Sequence, residues 1–188
     1  MSDTGIRQRL AAILAADVAG YSRLMAADEA ATVAALDSAR AVFKSQIESH
    51  QGRVIDMAGD SVLAAFETAA GAVTAALAAQ QALHASSSSV PENRRMHFRI
   101  GVHLGDVMEK ADGTVYGDGV NIAARLERLA KPGGVSVSDA VKTALRGKYK
   151  IAVDDAIFDE IMDHVFSKAL LFGKRMIVVA HKAAPKEK

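Results

Sequence analysis

Strand and helix signals do not alternate regularly along this chain, and that order limits its architecture more than any other feature. An apolar run, Leu10–Ala16, reads as a buried strand that stops at Asp17. A helical stretch follows from Asp28 to about His50, with Val33, Leu36, Phe43 and Ile47 on one face and Gly52 ending it. Asp28 and Glu29 lie in its first turn, where carboxylates suit the helix dipole. Val54–Met57 and Val62–Phe66 read as two strands joined at Ala58–Ser61, a hairpin turn by its Gly59 and Asp60. Thr68 is placed to cap a second helix reaching about Ala85, with Val73, Ala76, Leu77 and Leu83 inward. Ser86–Pro91 is a loop, and Met96–Val107 a central strand turning at Gly105. Asp112–Gly113 marks another hairpin, and Gly117–Leu129 a third helix ended by Lys131–Gly134. Val135–Val137 is a strand, Ser138 caps a short helix to about Gly147, and Met176–Ala180 is a final strand. Paired strands between helices predict an α+β sandwich with a largely antiparallel sheet, not a doubly wound parallel one.

Composition narrows the chemistry. The 188 residues suit one domain, with a core spanning 10–182 and short tails at 1–9 and 183–188. A hydrophobic content of 50% against 24% charged residues supports a packed core. The net charge of +1 argues against capture of nucleic acid, which needs a basic face. With no cysteine, disulfides, thiolate zinc sites and cysteine nucleophiles are excluded. Arg7 and Arg9 before the Leu10–Ala16 run give the outline of a signal peptide, but the run is short and meets Asp17 directly, so a buried strand is the better reading. No stretch approaches the about 20 apolar residues of a spanning helix, so no membrane is expected and the expected compartment is the cytoplasm. The six histidines form no triad or zinc spacing, and His103 reads as structural.

Two carboxylates occupy informative places: Asp17 at a strand end and Asp60 at a hairpin tip. Either alone reads as a strand terminator. If the first strand lies beside the hairpin, both reach one end of the sheet, where hard oxygen ligands could hold one or two Mg²⁺ ions that also bind phosphates. Val18–Ala19–Gly20–Tyr21 leads from that strand toward a helix, and amides at such a turn can hold phosphate oxygens. Asn121 and Arg125 are four apart and share a helix face, after the glycine-rich entry Tyr116–Gly119. Such a pair is either a solvated face or a substrate-facing one, with the arginine neutralising charge on a phosphorus centre.

Four blocks together resemble the catalytic domain of class III nucleotidyl cyclases, the adenylate and guanylate cyclases. They are AADVAGYSRL at 15–24, VIDMAGDSVLAAF at 54–66, FRIGVHLGDV at 98–107 and VYGDGVNIAARLERLAKPGGVSVS at 115–138. The resemblance implies a ferredoxin-like palm fold and a head-to-tail homodimer with active sites across its interface. It also implies conversion of ATP, or alternatively GTP, to a 3′,5′-cyclic nucleotide and pyrophosphate, with two Mg²⁺ or Mn²⁺ ions per site. By that likeness Asp17 and Asp60 hold metal, and Val18, Ala19, Gly20 and Tyr21 hold phosphate. Asn121 positions the ribose, and Arg125, from the other subunit, stabilises the transition state.

The family commonly reads the purine with a lysine four residues before the second metal aspartate, and this chain has Asp56 there. A carboxylate accepts hydrogen bonds, from guanine N1–H and N2–H₂ or adenine N6–H₂, and cannot donate to adenine N1. The second base-reading position is Thr114, as in one subclass of adenylate cyclases. Near the C-terminus Phe166 falls at the family's phosphate-binding lysine, with Lys168 the nearest lysine, in a stretch made acidic by Asp154, Asp155, Asp159, Glu160 and Asp163. An adenylate cyclase is therefore the first expectation. A catalytically weak or silent module that binds nucleotide and pairs two chains is the alternative, and a guanylate cyclase a further one.

Overall fold

A computed structural model of the chain describes residues 6–149 and 178–181. The described residues form one seven-stranded sheet. The central strands are β1 (Ile6–Val18) and β4 (Phe98–Lys110), antiparallel along their whole length from Ile6 opposite Lys110 to Val18 opposite Phe98. The hairpin β2 (Gly52–Asp56) and β3 (Val62–Phe66) adds antiparallel to β1, with Ala16 opposite Val62. On the other side β6 (Val135–Ser138) and β7 (Val178–His181) add parallel, and β5 (Val115–Tyr116) folds back on β4. The expected α+β architecture with a largely antiparallel sheet and flanking helices is present.

Alternation along the central strands gives the sheet two apolar faces. One carries Ala12, Leu14, Ala16, Ile100, Val102, Val62 and Ala64. It packs under α1 (Tyr21–Ala27), α2 (Glu29–Ser49), α3 (Ala69–Ser86) and α5 (Asp139–Tyr149). The fully buried Phe43 of α2 meets Phe98 of β4 edge-on at 4.9 Å between ring centres. Burial of such a ring is worth about 1.5–3 kcal/mol. The other face carries Ala11, Ile13, Ala15, Ala65 and Val107 and is covered by α4 (Asp118–Leu129) through Ala123. The larger core thus fixes the sheet, and α4 lies alone on its opposite side among the described residues.

Capping follows the sequence. Asp28 accepts from the Ala31 amide at the start of α2, and Thr68 Oγ1 from the Gly71 amide at the start of α3. The Asp112–Gly113 hairpin closes with the Lys110 amide on the Thr114 carbonyl. Other local expectations change. β1 continues through Asp17 because β4 pairs with it to the end, so Asp17 lies inside a strand. Gly105 does not turn β4; it pairs with Ala11 in an unbroken ladder. Val33 is 42% exposed, and the buried stripe of α2 runs through Thr32, Leu36, Ala39, Phe43 and Ile47 instead. The chain leaves α2 through Gln51 at φ 61°, not through Gly52, which already begins β2. The expectations for Phe166, Lys168, the acidic stretch around them and Met176 lie outside the described residues.

Candidate active site at the rim of the sheet

β1, β4 and the β2–β3 turn converge at one end of the sheet. The register sets Asp17 directly opposite Arg99 and makes Val62 the partner of Ala16, so the chain entering β3 from Asp60 lies beside the end of β1. Asp60 sits in the turn Ala58–Ser61, closed by the Ser61 amide and hydroxyl on the Ala58 carbonyl at 3.1 and 2.7 Å. Arg40 of α2 secures that turn from below by donating to the carbonyls of Met57 and Gly59. A helix of the main core therefore holds the loop that carries the second carboxylate.

Asp17 is gripped by its cross-strand neighbour. Arg99 Nε and one terminal nitrogen donate to Asp17 Oδ1 at 3.1 and 2.8 Å, and that terminal nitrogen also reaches Oδ2 at 2.9 Å. Glu127 of α4 joins the pair, its Oε1 3.2 Å from Arg99 Nε. The single Nε hydrogen is already directed at Asp17, and Glu127 Oε1 accepts no hydrogen bond. The hydrogen bond with Asp17 raises the Arg99 pKa despite burial, and the charges of Asp17, Glu127 and Asp60 add to it. Burial first, then the hydrogen bond and charge of Asp17, push Glu127 up to about 8. Glu127 thus keeps its proton near neutral pH and adds no second full negative charge beside Asp17.

Close packing brings Glu127 there. A Cβ at position 101 would lie 2.3 Å from both the Ala123 carbonyl oxygen and the Glu127 amide nitrogen. Only glycine lets the α4 backbone lie flat on β4 at this point, beside Arg99 two residues along the strand. Val18, Ala19, Gly20 and Tyr21 continue from Asp17. Val18 is buried, the Ala19 amide donates to the His97 carbonyl at 2.8 Å, and Gly20 takes a left-handed φ of 70° as α1 begins. Tyr21 packs on the main core.

The remaining predicted residues do not join this cluster within one chain. Asn121 and Arg125 are exposed, one turn apart on α4, and make no side-chain hydrogen bond or ion pair among the described residues. At about 100° per residue, Arg125 points about 200° around the helix from Glu127. The face that touches the rim and the face that carries the Asn121–Arg125 pair are thus opposite sides of one helix. Asp56 ends β2 exposed, beyond a bulge after Val54. Thr114 is half-buried on the β4–β5 hairpin, its amide held by Asp112 Oδ1 at 2.9 Å. Arg53 ties the two strands together by donating to the Gly113 carbonyl at 2.9 Å. His103 fits its structural reading: burial lowers its pKa, and its Nδ1 is enclosed without a partner.

Sequence reasoning passed over Arg99, Glu127, Gly101 and Arg40. Glu127 did leave a signal. It falls four residues after Ala123 and seven after Val120, on the apolar stripe of α4, where a charge is out of place.

No group of three or more His, Cys, Asp or Glu among the described residues could form a protein-only metal site. None of the described helices is long and apolar enough to cross a membrane.

Residues 7–162 match the adenylate and guanylate cyclase catalytic domain family. The chain is 46% identical over 162 residues to "Putative adenylate cyclase 3" of Rhizobium meliloti, a match covering 86% of this chain and 27% of that protein. It therefore spans about a quarter of that relative's length. A crystal structure of an adenylate/guanylate cyclase/hydrolase from Silicibacter pomeroyi superposes with a TM-score of 0.69 at 38% identity, over 78% of this chain and 84% of that one. The adenylyl cyclase CyaB from P. aeruginosa shares the fold at 17% identity, with a TM-score of 0.67 over 76% of this chain and 83% of that one. The chain belongs to the class III adenylate and guanylate cyclase catalytic domain family.

Proposed function

We propose that two copies of this domain form an adenylate cyclase that converts ATP to 3′,5′-cyclic AMP and pyrophosphate. The observation that supports it most is the strand register, which lays the chain entering β3 from Asp60 beside the end of β1 that carries Asp17. Mg²⁺ is usually held by one or two carboxylates and completed by water and substrate phosphates, so Asp17 and Asp60 would be enough. Mg²⁺ or Mn²⁺ held by Asp17 and Asp60 would lower the pKa of the ribose 3′-hydroxyl and neutralise triphosphate charge.

The chain's own residues then divide the work. The turn Val18–Ala19–Gly20–Tyr21 holds phosphate oxygens beside Asp17, with the open backbone at Gly20 and the start of α1 allowing close approach. Asn121 of the second copy orients the ribose. Arg125 of that copy places its guanidinium on the charge that builds at the α-phosphate as the O3′–P bond forms and the bond to pyrophosphate breaks. The reaction is intramolecular in the substrate, so orientation and charge stabilisation carry it and no protein nucleophile is required. Thr114 and Asp56 face the base. Because Asp56 can only accept hydrogen bonds when ionised, a guanine-selective site is a second reading, and a nucleotide-binding module with little turnover a third.

The test is incubation of the purified chain, at concentrations that form dimers, with ATP or GTP and Mg²⁺ or Mn²⁺. Cyclic AMP that disappears on Asp17→Ala or Asp60→Ala supports the proposal. Cyclic GTP alone reassigns the base, and the absence of product from both nucleotides overturns it.

A further inference from the structure

The contact between Asp17, Arg99 and Glu127 has no part in the chemical steps above. Its geometry is nevertheless specific. Asp17 and Arg99 are direct partners on the two central strands, so backbone pairing fixes their separation. The guanidinium meets Asp17 with three contacts of 2.8–3.1 Å, and both side chains are about three-quarters enclosed. Glu127 Oε1 lies 3.2 Å from Arg99 Nε, with its side chain 7% exposed, and is delivered there by the tight seat of α4 on Gly101. A surface ion pair would let all three side chains wander. Here each has one direction in which to lie.

We propose that Arg99 and Glu127 are positioning residues that set the direction of the Asp17 carboxylate for a divalent cation. This rests on the reading of Asp17 as a metal ligand. A carboxylate has about four lone-pair positions. Arg99 takes up positions on both oxygens and leaves the remaining ones for a cation. Glu127, packed beside the same guanidinium, restricts its movement. Groups that hydrogen-bond a metal ligand without touching the metal usually change its affinity by about 10–100-fold when removed. The opposite expectation is also physical: a guanidinium on Asp17 could act mainly as a competing cation, and its removal would then tighten metal binding.

The experiment measures bound Mn²⁺ by electron paramagnetic resonance on the full chain with 3′-deoxy-ATP, and in parallel with 3′-deoxy-GTP, neither of which can cyclise. Wild type is compared with Asp17→Asn, Arg99→Gln, Arg99→Lys and Glu127→Met, each checked for a native unfolding transition. The proposal predicts an Asp17-dependent Mn²⁺ site weakened about 10-fold by Arg99→Gln. Arg99→Lys remains weakened, because an ammonium cannot reproduce the two-nitrogen grip. Glu127→Met is weakened several-fold, and the double variant Arg99→Gln/Glu127→Met loses less than the product of the single losses, since both act through Asp17. An unchanged or tighter Mn²⁺ site in Arg99→Gln overturns the inference and leaves the cyclase reading intact. So does full recovery in Arg99→Lys, which would mean that charge alone matters. A wild type without an Asp17-dependent site overturns both. If Arg99→Gln does not fold, Arg99→Lys and Glu127→Met carry the same comparison.

Discussion

The two faces of α4 differ in almost every physical respect. The inner face lies on the sheet with Ala123 fully buried, and Glu127 is pressed against Arg99. The outer face holds Asn121 and Arg125 in solvent without side-chain partners among the described residues. The carboxyl on the inner face is held by packing and by a neighbouring guanidinium, and burial pushes its pKa up. Asn121 and Arg125 hold nothing in place among the described residues of one chain. One helix can therefore support its own chain's rim with one side and, in the dimer proposed above, complete a neighbour's site with the other. The inner residues should matter to the fold and to Asp17, and the outer ones to turnover alone.

That contrast breaks most visibly at Arg125. Arg125→Ala should lower cyclase activity by about 100–1,000-fold, the usual cost of a lost transition-state donor, while the thermal midpoint stays within error. A midpoint that falls with the activity would give Arg125 a structural role and erase the distinction. Gly101→Ala should do the reverse. Its Cβ would meet α4 backbone at 2.3 Å, which cannot rotate away, so α4 must lift. The expected loss is about 1–3 kcal/mol in urea unfolding, with Mn²⁺ binding reduced as Glu127 withdraws. A variant as stable as wild type would mean that α4 adjusts freely.

The smallest effect concerns pH. His103 sits on the α4 side of β4 with its pKa lowered by burial. The unfolded chain then binds a proton more readily than the native one below about pH 6.5. The stability that His103 contributes is present above that pH and lost as pH falls through the native value. Thermal unfolding at pH 7.5 and 5.5 should show a larger drop for wild type than for His103→Gln. Equal drops would place the imidazole in ordinary contact with water.

Local features were legible in the sequence because they depend on neighbours in the chain. The caps Asp28 and Thr68, the Asp112–Gly113 turn and the apolar stretch of β1 all needed only a few adjacent residues to recognise. The features that escaped depend on partners far away. Asp17 and Arg99 are 82 residues apart, and nothing between them states that β1 and β4 pair in this register. Gly105 looked like a turn because glycine favours turns, yet the ladder with β1 runs straight through it. Val33 matched a helical period but fell just beyond the strip that α2 turns to the core, which Thr32 enters instead. Asp17, Asp60, Asn121 and Arg125 could be picked out as candidates from motifs. The contacts of Arg99 with Asp17 and Glu127 could not, because they arise only when a helix and two strands meet.

In the proposed dimer the outer face of α4 serves a site in another copy. Mixing two inactive proteins, Asp17→Ala and Arg125→Ala, decides whether it does. If Asp17 and Arg125 of different chains share a site, half of the randomly formed dimers contain one intact site out of two, so cyclic AMP production should return to about a quarter of the wild-type rate. A mixture that stays as inactive as its separate components, although mixed dimers have formed, would contradict the account.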